Sequence, residues 1–190
     1  MHADSWALKA KKLGFRSRAV FKLEEILIKT KTLQKNSLVL DIGSAPGGWS
    51  ELIKAITPSS SVYAIDLLPM DPIKDVIFFQ KDILNIDEIE EIFLLKSKFD
   101  LVISDLAPNL TGIRAVDEEN IFELNIITLR TALSYLSKTN GSFVIKTFQN
   151  SLLKKLRIEM EKSFYLVQTY KPAASKSKSA EIYLYGERPL

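Results

Sequence analysis

Short apolar runs alternate with helical patterns along the chain from Ser37 onward. The apolar runs are rich in Val, Ile and Phe and are too short for helices, so they predict buried strands. The five predicted strands are Leu38–Ile42, Val62–Ile65, Val76–Phe79, Leu101–Ser104 and Phe143–Thr147. Apolar spacings of three and four predict crossover helices at Trp49–Ile56, Asp87–Leu95, Asp117–Leu136 and Ser151–Ser163. This alternation is typical of βαβ units and indicates an α/β fold with a mostly parallel sheet.

The end of the chain shows a different pattern. Two aromatic-rich strands are predicted at Tyr165–Tyr170 and Ile182–Tyr185, and the connection Lys171–Glu181 has no helical pattern. A helix-free connection suits antiparallel pairing better than a right-handed crossover, so we expect a seven-stranded sheet with a reversed strand near the C-terminus. Ahead of the sheet, Ser17–Lys29 has one apolar face and predicts a helix. Asp117 is predicted to cap the helix that it begins.

Length and composition limit the classes of chemistry. A chain of 190 residues fits one domain, which we divide into a basic N-terminal helical extension (1–35) and an α/β core (36–190). The hydrophobic share of 46% is typical of a globular protein, and no apolar run is long enough for a membrane span. There is no cysteine and only one histidine, His2. We therefore expect no metal site, no cysteine nucleophile and no histidine-centred triad, and a cytoplasmic location.

The net charge of +3 conceals an uneven distribution. Residues 1–35 carry nine Lys and Arg against three acids, residues 36–170 thirteen against eighteen, and residues 171–190 four against two. Basic ends supply phosphate contacts that do not depend on sequence, although such runs are as often ordinary solvated surface. The cations in question are Lys9, Lys11, Lys12, Arg16, Arg18, Lys171, Lys176 and Lys178.

A glycine turn follows the first predicted strand. It runs from Asp41 through Gly43, Gly47 and Gly48 to Trp49, with a proline inside it, and it lacks the G-x-G-x-x-G spacing of a dinucleotide site. Many α/β proteins turn on such glycines. Two acids at the ends of the next strands, Asp66 and Asp82, favour a nucleoside ligand, because acids at this position bind ribose hydroxyls. S-adenosylmethionine satisfies both observations, because it is a methyl carrier that contains a nucleoside but no pyrophosphate.

Two adjacent predicted strands end in charged residues that could act on a hydroxyl group as the acceptor of the methyl group. Asp105 follows the fourth strand, and Lys146 lies on the fifth among apolar neighbours. Enzymes of this architecture that methylate amino groups usually carry an aromatic residue where this chain has Asn109, and the lack of cysteine removes covalent methylation of a base carbon. Taken alone, Lys146 is more simply a lysine whose amine reaches solvent, and Lys22 and Glu181 are more simply solvated charges.

Five stretches of sequence together carry a resemblance to a known family. Over nearly its whole length, the chain resembles the FtsJ/RrmJ family of ribosomal RNA large-subunit methyltransferases, which methylate a uridine ribose 2′-hydroxyl. The stretches are Arg16-Ser17-Arg18-Ala19 with Phe21-Lys22-Leu23, Ala45-Pro46-Gly47-Gly48-Trp49-Ser50, Asp66-Leu67-Leu68-Pro69-Met70, Ser104-Asp105-Leu106-Ala107-Pro108-Asn109, and Lys146 with Phe148-Gln149.

The resemblance implies a Rossmann-like methyltransferase fold with S-adenosyl-L-methionine as its cofactor. It places the family's catalytic tetrad on Lys22, Asp105, Lys146 and Glu181, and its cofactor site on Gly47, Trp49, Asp66, Asp82 and Asp105. The implied substrate is large-subunit rRNA in an assembled 50S particle. No protein partner is implied, and we expect a monomer.

Two questions stay open at the level of the sequence. Lys146 either accepts the proton of the attacking hydroxyl or only steers that hydroxyl, because burial and Lys22 favour its neutral form while Asp105 and Glu181 oppose it. A 2′-O-methyltransferase acting on tRNA or an mRNA cap would share the tetrad. A non-catalytic RNA-binding assembly factor would share only the basic ends, and a nicotinamide dehydrogenase is disfavoured by the glycine spacing.

Overall fold

The computed structural model describes residues 5–175 and 179–190, and one seven-stranded sheet runs through this part of the chain. The strands are β1 Leu38–Ile42, β2 Ser61–Asp66, β3 Val76–Gln80, β4 Leu101–Ser104, β5 Ser142–Phe148, β6 Phe164–Tyr170 and β7 Glu181–Pro189. Their order across the sheet is β3-β2-β1-β4-β5-β7-β6. In this sheet β7 runs opposite to the other six strands and pairs antiparallel with β5 and β6, so the predicted mostly parallel sheet with one reversed strand is confirmed.

Helices cover both faces of the sheet. They are α1 Ser5–Lys12, α2 Val20–Thr30, α3 Gly48–Ile56, α4 Glu90–Phe93, α5 Arg114–Tyr135 and α6 Leu153–Glu161, with a 3₁₀ segment at Ile83–Glu88 before α4. The predicted helix Asp87–Leu95 is wrong as a single element, because Ile89 is extended and separates the 3₁₀ segment from α4. Among the described residues, no helix combines the length and the apolar character needed to cross a membrane.

The predicted cap of α5 also needs correction. This helix begins at Arg114, and Ile113 is its N-cap residue. Asp117 lies in the first turn, where its carboxylate accepts hydrogen bonds from the backbone amides of Thr111 and Gly112. The acid therefore binds the loop that precedes the helix and not the free amides of the helix itself.

The alternation of side chains along each strand divides the core into two layers. Leu40 and Ile42 of β1 face the layer that contains α5 and α6. Val39 of β1, Ile103 of β4 and Val144 of β5 face the layer that contains α2 and α3. By the same alternation, Asp105 and Lys146, which come two positions after Ile103 and Val144, lie on the α2 and α3 side of the sheet.

Candidate active site

Four charged residues meet where β4 and β5 end. Asp105 directly follows β4, and Lys146 lies on β5, the neighbouring parallel strand. Because β7 runs antiparallel to β5, its first residue, Glu181, lies opposite Phe148 at the same edge of the sheet. Lys22 comes from α2, which packs on this face. These four residues, Lys22, Asp105, Lys146 and Glu181, are the predicted tetrad, and the structure brings them together.

The tetrad consists of two ion pairs. Nζ of Lys22 lies 2.6 Å from Oε1 of Glu181, and Nζ of Lys146 lies 3.1 Å from Oδ1 of Asp105. Lys146 also donates a hydrogen bond to the backbone carbonyl of Asp105. The side chains of Lys22 and Glu181 are only 8% and 15% exposed. Since a buried charge without a partner is costly, each carboxylate fixes the position of its lysine.

A tyrosine that sequence reasoning missed joins the two pairs. The hydroxyl of Tyr183 lies 3.0 Å from Oε1 of Glu181 and 3.5 Å from Oδ1 of Asp105, so it can donate to either carboxylate. Tyr183 is opposite Lys146 in the antiparallel register and is fully buried. The signal was present in the sequence, because a residue two positions after Glu181 in a strand points to the same face.

The surroundings of the tetrad shift the pKa values of its two carboxyl groups in opposite directions. Burial raises the pKa of Asp105, although the charge of Lys146 opposes this effect. Burial also acts to raise the pKa of Glu181, but the hydrogen bond and charge of Lys22 outweigh it, and the pKa lies below its usual value. Burial and the two neighbouring carboxylates raise the pKa of Tyr183, which keeps its hydroxyl protonated as a donor.

A cavity of about 460 Å³ opens at the carboxyl ends of the strands, and Leu106, the residue after Asp105 of the tetrad, contributes to its lining. Gly43 lies at its base, Asp66 and Asp82 contribute carboxylates, and Leu106 and Asn109 form the wall on the side of Asp105. Most of the other lining residues are apolar. Apolar walls with a few polar groups are typical of a small-molecule site, and this edge is where open α/β sheets bind ligands.

The two carboxylates of the cavity are held in place by backbone amides. Asp66 accepts hydrogen bonds from the amides of Ala45 and Leu68, both at 2.8 Å. Asp82 accepts from the amide of Leu84 at 2.9 Å. A carboxylate has about four acceptor positions, so both acids keep capacity for the hydroxyls of a ribose or the amino group of a base. The residues present therefore fit the adenosine half of S-adenosylmethionine.

The other three predicted cofactor residues, Gly47, Trp49 and Asp105, lie outside the lining of this cavity, although Leu106, the residue after Asp105, belongs to it. Gly47 has a φ of +105° and is the N-cap of α3. The side chain of Trp49 is buried, donates from its indole nitrogen to the carbonyl of Ala19 at 3.0 Å, and contacts the ring of Tyr183. Trp49 thus packs toward α2 and the tetrad. Any contact of this segment with a cofactor would come from the backbone amides at the start of α3.

A second residue missed from the sequence is Asp41 of β1. It is completely buried, and Ser50 of α3 donates to its Oδ2 at 2.7 Å. Its Oδ1 has no hydrogen-bond partner among the described residues. Burial, together with the nearby charges of Asp105 and Asp66, raises the pKa of Asp41 to about 7. Asp41 therefore ties the glycine turn to the sheet as a carboxyl group that titrates near neutral pH.

Comparison with known proteins identifies the family. The model of the FtsJ-like methyltransferases matches residues 15–188 of the chain. The chain belongs to this family. Ribosomal RNA large subunit methyltransferase E of Buchnera aphidicola subsp. Cinara cedri is 40% identical over 184 residues, which cover 95% of this chain and 88% of that protein. The protein of the same name from Neisseria gonorrhoeae is 40% identical over 187 residues, or 97% and 90% of the two chains.

Solved structures agree with this assignment. A Plasmodium falciparum protein, provisionally assigned as a ribosomal RNA methyltransferase, is 32% identical and superposes with a TM-score of 0.82, covering 93% of this chain and 99% of that one. Human methyltransferase-like protein 13 in complex with SAH superposes with a TM-score of 0.62 at 14% identity over 86% of this chain and 81% of that one, a likeness of fold alone. The predicted methyltransferase fold and S-adenosylmethionine as its cofactor are thus confirmed at the level of the family.

Several cations predicted to contact phosphate are engaged within the protein. Nζ of Lys9 lies 4.5 Å from the ring centroid of Phe21, and Lys171 donates to the carbonyl of Glu181 at 2.6 Å. The guanidinium of Arg16 donates to three backbone carbonyls. Lys11 and Lys12 are exposed on α1. Lys176, Lys178 and His2 lie outside the described residues.

Proposed function

We propose that this FtsJ-like protein methylates the 2′-hydroxyl of a uridine ribose in large-subunit ribosomal RNA, and that it acts on the assembled 50S particle. Relatives at 40% identity are named ribosomal RNA large subunit methyltransferase E, which supports a ribosomal RNA acceptor. The observation that carries the hydroxyl acceptor is the Lys146–Asp105 ion pair beside a cavity that fits the methyl donor. Oxygen is the acceptor whose activation such a lysine suits best.

The chain would hold S-adenosylmethionine, which supplies an electrophilic methyl group, along the carboxyl edge of the sheet. Asp66 and Asp82, which line the cavity, would accept hydrogen bonds from its ribose and its base. The backbone amides at the start of α3 would suit the carboxylate of its amino-acid end, because a helix N-terminus favours negative charge. Asp105 pairs with Lys146 and directly precedes Leu106, which lines the cavity, so it connects the acceptor side of the proposed site to the donor side.

A ribose hydroxyl is a poor nucleophile while it keeps its proton, so the acceptor must be oriented and deprotonated. Lys146 is placed to orient the hydroxyl by a hydrogen bond at Nζ. To take up the hydroxyl proton as well, the ammonium of the ion pair must first pass a proton to solvent, so that a free amine is present as the oxygen–carbon bond forms and the carbon–sulfur bond of the methyl donor breaks. Glu181 already accepts from Lys22 and Tyr183, which leaves Asp105 as the one carboxylate paired with Lys146. Lys22, Glu181 and Tyr183 then act as the frame that holds this second pair in place.

The RNA would reach the tetrad across the surface formed by α1 and the start of α2. Lys11 and Lys12 are exposed there, and Lys22 links the same segment to the site. Contacts of this kind position a nucleic acid without reading its sequence. So small a surface cannot read a long sequence, so the choice of one uridine must depend on the folded shape of the RNA around it. A folded rRNA in its particle provides such a shape.

A transfer assay with tritiated S-adenosylmethionine tests this function. Purified 50S particles, free 23S rRNA and tRNA are offered separately, and labelled nucleosides are separated after complete digestion. We expect label in the 50S sample, recovered as 2′-O-methyluridine. Label on a base, or transfer to tRNA alone, would contradict the proposal. Tight binding of particles without any transfer would favour an assembly factor instead.

A further inference from the structure

Arg16 lies between α1 and α2, among the cations predicted to contact phosphate, but its guanidinium is turned toward the protein. Nη1 donates to the carbonyl of Pro46 at 3.1 Å and to the carbonyl of Asp71 at 2.7 Å. Nη2 donates to the carbonyl of Pro72 at 2.9 Å. Pro46 belongs to the glycine turn, whereas Asp71 and Pro72 belong to the loop of residues 67–75 between β2 and β3. One side chain therefore bridges two segments that are distant in sequence.

A second set of contacts joins Arg16 to the helix that follows the glycine turn. Its backbone amide donates to Oε2 of Glu51 at 3.3 Å, and its Nε lies 4.0 Å from Oε1 of the same residue. Glu51 is in the first turn of α3. Arg16 thus contacts the chain on both sides of Gly47 and Gly48, the residues at which the turn becomes a helix.

The loop of residues 67–75 closes directly on the glycine turn. A Cβ atom placed on Gly47 would lie 2.6 Å from Cδ1 of Ile73 and 2.9 Å from Sδ of Met70. The same loop begins with Leu67 and Leu68, which line the cavity next to Asp66. Its position consequently fixes one wall of the cavity and the outer side of the glycine turn at the same time.

We propose that Arg16 is a positioning residue, which clamps the loop of residues 67–75 to the glycine turn and thereby sets the affinity of the enzyme for S-adenosylmethionine. The effect on S-adenosylmethionine affinity rests on the proposed function, whereas the clamp itself rests on the contacts of Arg16 alone. A planar guanidinium can donate to several carbonyls in different directions, and a lysine ammonium keeps the charge without this fork. The role therefore requires arginine and not merely a cation.

The test compares Arg16→Lys and Arg16→Ala with the wild-type protein in the absence of RNA. The dissociation constant of S-adenosylhomocysteine is measured by calorimetry, and amide hydrogen exchange is followed in residues 67–75. We expect both variants to bind about tenfold more weakly and to exchange faster in this loop, because the charged hydrogen bonds that hold it are removed. Arg157→Lys is the matched control: Arg157 contacts Glu161 and Thr169 on the far side of the sheet, and its replacement should change neither quantity.

The outcomes separate the clamp from a phosphate contact. A wild-type dissociation constant in Arg16→Lys, with weaker binding only in Arg16→Ala, would mean that charge and not the fork matters, and would overturn the inference. Unchanged binding of S-adenosylhomocysteine with weaker binding of 50S particles would make Arg16 an RNA contact and would also overturn it. If the wild-type protein itself bound no S-adenosylhomocysteine, the proposed function would fail, and unaltered exchange in residues 67–75 would independently refute the clamp.

Discussion

At the scale of single residues, the sequence predicts the charged groups of the site better than the groups that support them. Asp105 and Lys146 could be named because they lie at the ends of adjacent predicted strands, whereas only the family resemblance indicates Lys22 and Glu181. Tyr183 and Asp41 are harder to find. The spacing of two from Glu181 places Tyr183 on the same strand face but does not show that its hydroxyl reaches the carboxylates, and Asp41 has no local signal of its role. Their importance comes from burial and from the neighbours that the fold brings to them.

Asp41 gives a prediction about stability and pH. Its pKa is about 7 in the folded protein and near 4 in the unfolded chain, so the folded state holds a proton that the unfolded state releases. This contribution to stability is complete below about pH 4 and is lost as the pH rises through 7. Asn resembles the protonated form and does not titrate. Between pH 5 and pH 8, the unfolding free energy of Asp41→Asn should therefore rise relative to wild type by about 3 kcal/mol.

Urea denaturation of both proteins at the two pH values measures this difference. Contributions from all other titrating groups cancel in the comparison, provided that the substitution does not alter them. A gap between the two proteins that stays constant across this pH range would show that Asp41 is ionised throughout, and that burial does not control it.

At the scale of elements, strands are easier to predict than the segment between β3 and β4. Ile86, Ile89 and Ile92 are all buried and follow one another at intervals of three. This interval predicts one helical face, but it matches the three residues per turn of a 3₁₀ segment equally well. Packing of these isoleucines against α5 and the sheet decides the local conformation, and a single sequence does not show that packing.

Gly47 provides a prediction at the same scale, because the glycine turn works only if the loop of residues 67–75 can approach it. Gly47→Ala adds a Cβ atom that would overlap Ile73 and Met70, in addition to the strain of a φ of +105°. We expect a loss of at least about tenfold in affinity for S-adenosylhomocysteine by calorimetry.

Gly14→Ala is the matched control for this experiment. Gly14 also has a positive φ, of +79°, but nothing lies within 4 Å of the position of its added Cβ. It should keep wild-type affinity with a small loss of stability. Equal affinity in both variants would refute the view that close contact of the loop with Gly47 shapes the cofactor site.

At the scale of the whole molecule, counting charges along the sequence locates the basic segments but does not show what each cation contacts. The basic ends lie beside the site through Lys22 and Glu181. However, Arg16, Lys9 and Lys171 already contact carbonyl groups or an aromatic ring of the protein itself. A sequence cannot distinguish a lysine that holds a loop from one that faces solvent, because both raise the net charge equally.

The exposed cations of α1 lead to a prediction about RNA binding. Replacing Lys11 and Lys12 by Gln should weaken binding to 50S particles and lower the slope of log affinity against log salt concentration by up to about two, one for each phosphate that is no longer neutralised. The matched control is the Lys138→Gln, Lys154→Gln pair, which lies on other exposed elements. A salt slope equal to that of the wild type in the α1 variant would remove α1 from the RNA interface.

The central claim is that Lys146 activates a ribose hydroxyl next to a cofactor that the rest of the site binds without it. Its most direct test is Lys146→Ala, with Lys154→Ala as control, measured for methyl transfer to 50S particles and for the dissociation constant of S-adenosylhomocysteine. Transfer by Lys146→Ala should fall below detection while cofactor affinity stays within about twofold of wild type, because Asp66, Asp82 and the glycine turn are unaltered. Sustained transfer by Lys146→Ala, at a rate near that of Lys154→Ala, would contradict this claim.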